Sequence, residues 1–102
     1  MSLSYLDFDF SEDTEGIGVF DAMATVAPQH LAAVQAEVEQ VLAWANAAFA
    51  GQRGPVEDGG EWDYDLQTWQ EPTTPGAPLH TVTLSVRGTA QFCAAFRDEF
   101  GI

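Results

Sequence analysis

The stretch IGVFDAMATVAPQHLAAVQAEVEQVLAWANAAFAG, residues 17–51, changes its apolar period from two to 3.6 at a proline, and that change decides the fold. In its first part Gly18, Phe20, Ala22, Ala24 and Val26 share one face. Ile17, Val19, Asp21, Met23 and Thr25 share the other, so residues 17–26 read as a strand with both faces partly apolar. Pro28 suits the first helical position, where its missing N–H costs nothing, and Val26 can staple to Leu31 across the helix start. Leu31, Val34, Val38, Val41, Leu42, Ala45 and Phe49 then recur at helical spacing as far as Gly51, a suitable C-cap. The opposite helix face carries Ala32, Ala33, Ala36, Ala43 and Ala47 where Lys and Glu are usual, with Trp44 at its edge.

Working outward toward the amino terminus, Tyr5 to Phe10 alternates: Leu6, Phe8 and Phe10 fall on a core face, Tyr5, Asp7 and Asp9 on the other. The polar, glycine-ended turn Ser11–Gly16 makes this strand and the next an antiparallel hairpin. Toward the carboxyl terminus, Gln52–Gly60 is a loop by composition. Glu61–Gln70 reads as a third strand, with Trp62, Tyr64, Leu66 and Thr68 opposite Asp63, Asp65, Gln67 and Trp69. Three prolines in Glu71–Pro78 argue against regular structure there. Leu79–Arg87 is a fourth strand burying Val82, Leu84 and Val86, and Gly88 or Thr89 opens a short helix with a Phe92, Phe96, Phe100 stripe ended by Gly101.

The order is therefore ββαββα. Leu6-Asp7-Phe8-Asp9-Phe10 and Trp62-Asp63-Tyr64-Asp65-Leu66 match class for class, which is compatible with an internal repeat of a ββα unit. The expected architecture is a single α+β domain over residues 1–102. It is a two-layer sandwich of a four-stranded, mainly antiparallel sheet with both helices on one face.

Composition narrows function. Sixteen acids against three arginines and no lysine give a formal net charge of −13, while 46% hydrophobic and 12% aromatic residues are too many for a disordered acidic tail. Arg53, Arg87 and Arg97 cannot form the row of cations that nucleic acid or an anionic membrane requires, so neither is an expected partner. The single cysteine, Cys93, excludes an intrachain disulfide, and no stretch approaches the roughly 20 apolar residues of a membrane span. With no basic, apolar leader at the amino terminus, a reducing cytoplasm is the expected setting.

Residues i and i+2 of a strand point the same way about 6–7 Å apart, so Asp7/Asp9 and Asp63/Asp65 each pair two carboxylates on the face away from the helices. Were the first and third strands neighbours, these four, joined by Asp21, could bind a hard divalent cation or raise a carboxyl pKa for acid–base work. The plainer account is that they solvate an open sheet face and protect its edges. Named motifs fail. Starting an EF-hand loop at Asp7 puts Glu12 where the turn needs Gly and Gly18 where a bidentate Glu belongs. Neither Gly16-Ile17-Gly18 nor Gly59-Gly60 leads into a helix as a phosphate loop must. His30 and His80 have no His or Cys at ligand spacing, and Cys93 sits in a phenylalanine stripe. Neither a cofactor nor an enzymatic activity is expected.

What remains points to binding by surfaces. Trp69 on the aspartate side and Trp44 beside Ala36, Ala43 and Ala47 are the candidate interface residues, and a self-associating protein–protein interaction module, a homodimer, is the leading expectation. The alternative is an acidic immunity-type inhibitor or nucleic-acid mimic that neutralises a basic partner. A second alternative is a divalent-cation or small-ligand protein using the sheet-face aspartates.

Overall fold

The computed structural model describes residues 3–71, 76 and 78–102, and its elements follow the expected order. They are β1 (Asp9–Glu12), β2 (Gly18–Val26), α1 (Leu31–Ala48), β3 (Trp62–Glu71), β4 (Leu79–Gly88) and α2 (Ala90–Phe100), with 3-10 turns at Pro28–His30 and Val56–Asp58. The four strands form one sheet in the order β1-β2-β4-β3, and every neighbouring pair is antiparallel. Both helices pack on the same face, giving the α+β sandwich read from the sequence.

Local chemistry explains the boundaries. The Asp13 carboxylate accepts from the N–H groups of Glu15 (2.8 Å) and Ile17 (3.0 Å), and Gly16 takes the positive φ of 83° that closes the first hairpin. Pro28 stands at the first position of the 3-10 turn that leads into α1. Thr89 caps α2 by accepting from Phe92 N–H, and Gly101 ends it at φ 69°.

The first strand begins four residues later than its alternation suggests. Leu6 and Phe8 are buried as expected, but the backbone from Ser4 to Leu6 is held by a helix instead of a strand. The Glu37 carboxylate on α1 accepts from Ser4 N–H (2.9 Å), Tyr5 N–H (3.0 Å) and Leu6 N–H (3.0 Å). Period-two alternation identifies extended backbone with a buried face; it does not say what satisfies its N–H groups. At the other hairpin, Glu71 belongs to β3 through its pairing with Leu79, although the sequence placed it in the proline-rich connection. Most of that connection, residues 72–75 and 77, lies outside the described residues.

The core lies between sheet and helices. Phe20, Ala22 and Ala24 from β2 and Val82, Leu84 and Val86 from β4 face Val34, Val38, Val41 and Ala45 of α1 and Phe92, Cys93 and Phe96 of α2. Exchanging the first ββα unit with the second leaves the strand order unchanged. With Leu6–Phe10 set on Trp62–Leu66, the exchange carries Asp9 onto Asp65 and, through the pairings Phe10↔Phe20 and Leu66↔Leu84, Asp21 onto Ser85.

Candidate interaction surface

Because side chains alternate across a strand, the residues opposite the core form the second, open face of the sheet. The register sets Asp9, Asp21, Ser85 and Asp65 side by side in one row across all four strands. The Ser85 hydroxyl donates to the Asp21 carboxylate in the middle of that row. Gln67 Nε2 donates to Asp65 Oδ2 at 3.2 Å, and Thr25 and Thr81 share a hydroxyl hydrogen bond of 3.0 Å two rows away. Trp69, 41% exposed, donates from Nε1 to Glu71 Oε1 at 3.4 Å, and Met23 is 64% exposed. No described element of the chain packs over this face.

The four sequence-nominated aspartates are not brought together. β1 and β3 are the opposite edges of the sheet, three interstrand spacings or about 14 Å apart, so Asp7/Asp9 and Asp63/Asp65 form separate pairs. Asp21 does join Asp9, as its cross-strand neighbour. Among the described residues no three His, Cys, Asp or Glu side chains converge as metal ligands. His80 pairs with Val26 and Gln70 on the core-facing side of β4, so it does not meet the carboxylates, and His30 lies against Tyr5, Nδ1 to hydroxyl 3.3 Å.

Trp44 is drawn inward. Its ring packs against Phe49, Phe92, Phe96 and Phe100 at centroid distances of 5.5–6.4 Å, joining α1 to α2. Ala36, Ala43 and Ala47 are exposed on the outer face of α1. The three arginines are engaged within the chain: Arg87 pairs with Glu57 at 3.4 Å, Arg53 lies over the Tyr64 ring and Arg97 over the Phe10 ring.

One apolar feature escaped the periodicity. Leu66 falls on the core-facing side of β3, yet it is 42% exposed, because α1 leaves a groove of about 330 Å³ between Gln35, Val38 and Glu39 and the strand residues Leu66, Thr68 and Val82. Alternation assigns a face; how far the covering helix reaches along it is a tertiary fact.

Cys93 is buried, and its thiol donates to the Gly88 carbonyl at 3.4 Å. Burial is the main cause that pushes the thiol pKa up, with Glu12 adding to it. The unfolded chain therefore loses this proton first as pH rises, and stability declines once pH passes the ordinary thiol value of 9.0. Alkylation by iodoacetamide at pH 8 is expected to be at least a hundredfold slower in the native protein than in urea; comparable rates would contradict a sealed thiol.

No helix among the described residues is long and apolar enough to cross a membrane. No protein-family model matches the chain, and no curated protein matches it.

Proposed function

We propose that this protein is an acidic protein–protein interaction module whose open sheet face captures a basic partner, in the manner of an immunity-type inhibitor or nucleic-acid mimic. The observation that carries the reading is the uncovered row Asp9–Asp21–Ser85–Asp65. A regular strand spacing of about 4.8 Å holds these carboxylates on a backbone already ordered by the sheet, so binding has only side chains left to fix. The exposed Met23 and Trp69 supply apolar contact beside them. A net charge of −13 adds long-range attraction that speeds encounter and fades with salt.

Self-association through α1 is the weaker reading, since Trp44 is taken up by four phenylalanine rings and the exposed alanines offer little area each. Cation binding has no converging ligand set among the described residues to support it.

The test is capture from a cell lysate on immobilised protein at 50 and 300 mM salt, followed by calorimetry with the purified partner. A basic protein retained at low salt, and bound at least a hundredfold more weakly by Asp9→Asn/Asp21→Asn/Asp65→Asn, is the expected result. Retention of no basic protein at low salt, or equal affinity of the triple variant, would overturn the proposal. Light scattering that shows a dimer disrupted by Ala43→Glu would favour self-association instead.

A further inference from the structure

We propose that the outer edge of β3 is a strand-addition site that takes, antiparallel, an extended segment of another protein alternating apolar and basic residues. The inference deepens the reading above, on which it rests for the basic character of the partner, by naming a docking mode and a second surface. β3 pairs with β4 along its inner side over ten residues, while its outer side meets described residues only at its start, through the parallel bridge Arg53↔Trp62. There Gly54 N–H donates to the Trp62 carbonyl at 2.8 Å, so Trp62 turns its backbone groups outward. Two residues on, Tyr64 N–H is also outward and is taken by the Asp63 carboxylate at 2.9 Å. Antiparallel alternation then places the N–H and C=O groups of Leu66, Thr68 and Gln70 on the same outer side. No described backbone group bonds to them.

Proteins ordinarily shorten or charge such an edge. β1, the opposite edge, has four residues; β3 has ten, and its outward-bonding residues from 66 to 70 are all uncharged. The side chains of Leu66 and Thr68 border the groove formed with Gln35, Val38 and Glu39. In an antiparallel addition, the incoming residues that hydrogen-bond to Leu66, Thr68 and Gln70 put their side chains on that same groove side, where apolar groups would cover the exposed Leu66. The alternate incoming residues point to the open face beside Asp65, Trp69 and Glu71, which suits lysine or arginine. Charge also selects against a second copy of this chain, which brings another −13 and the same edge acids.

The probe is a ten-residue peptide alternating lysine with valine, titrated into the full chain with amide hydrogen exchange as the readout. Binding is expected to slow exchange at Leu66, Thr68 and Gln70 at least tenfold. Methylating the peptide nitrogens of the valines, whose N–H groups face β3, should abolish that protection, whereas the same number of methyls on the lysine nitrogens should leave it. Thr68→Pro, which removes an outward N–H and leaves the β4 ladder intact, should weaken the unmodified peptide at least tenfold. Equal binding of both methylated peptides, with perturbations centred on Asp9 and Asp21, would overturn strand addition and leave the acidic face standing. No binding of any peptide would overturn strand addition, and retention of a basic protein in the lysate test would then show whether the broader reading survives. Concentration-dependent protection of the edge without peptide would assign it to a second copy and also overturn the proposal.

Discussion

Replacing Phe96 by alanine is expected to lower the free energy of unfolding by about 3–5 kcal/mol. Phe96 is fully buried, and its ring meets five others: Phe20 at 4.2 Å, Phe100 at 4.7 Å, Phe8 at 5.3 Å edge-on, Trp44 at 5.7 Å edge-on and Phe92 at 5.8 Å. Those partners come from α1, α2, β2 and the extended segment before β1, so the truncation removes the side chain on which four parts of the chain converge. The transfer free energy of the ring is lost, and so are the aromatic contacts, each worth about 0.5–1.5 kcal/mol beyond area. Relaxation is restricted because the neighbours are themselves rings fixed by separate elements. For a domain whose total stability is about 5–15 kcal/mol, the change is a large fraction. The comparison is Phe100→Ala in the same stripe, where the side chain is half-buried and packed at the core margin, and where less than half that loss is expected. Urea midpoints read both, provided the slope is unchanged. A Phe96→Ala loss below about 1.5 kcal/mol would mean that this aromatic node is not where the fold is held.

Much of this arrangement is legible in the sequence. The shift of period at Pro28 marks the strand–helix junction, and alternation assigns Trp62 and Tyr64 to the covered face and Trp69 to the open one, where the structure puts them. Strand order is not legible, because β2 and β4 meet through residues more than fifty positions apart, and the alternating pattern is equally satisfied with β1 beside β3. That ambiguity is why four aspartates looked able to crowd into one site. Glu37 shows a second limit. On a helical wheel it is a solvent-facing acid, and only the folded chain reveals that its carboxylate gathers three backbone N–H groups of residues 4–6. Trp44 shows a third: its place at the edge of the alanine face is correct, but the ring inclines toward the phenylalanine stripe of α2. That stripe, with rings four residues apart at Phe92, Phe96 and Phe100, was visible and needed an aromatic counterpart on the facing helix.

The glycines of the sheet floor carry the second large effect: Gly88→Ala is expected to cost at least the upper end of the 1–3 kcal/mol usual for overpacking. Gly18 and Gly88 face each other across β2 and β4, and Gly88 in turn faces Trp62, so the sheet has no side chains at two adjacent positions of its covered face. α2 starts directly above. Phe92 settles there with its ring stacked on Trp62 at 5.7 Å and 5°, a position that a Cβ on Gly88 would occupy. Such a Cβ would lie 2.8 Å from Phe92 Cγ and 2.8 Å from the Glu61 carbonyl oxygen. The ring could turn away, but the carbonyl is fixed by its bond from Thr89 N–H (2.9 Å), and Thr89 is held again through its hydroxyl to the Glu61 carboxylate (2.6 Å). The first turn of α2 must therefore shift as a unit. At Gly18 a Cβ would come 2.5 Å from Cys93 Sγ and 2.6 Å from Phe10 Cε1, contacts with side chains that have some freedom, so Gly18→Ala is expected to cost less. A double-mutant cycle separates the two obstacles at Gly88. Combining Gly88→Ala with Phe92→Leu should recover about 1–2 kcal/mol relative to the sum of the single changes, because a smaller side chain relieves the ring clash and leaves the carbonyl clash in place. Strict additivity would show that the ring is not what Gly88 accommodates, and the close approach of α2 to the sheet would then need a different explanation.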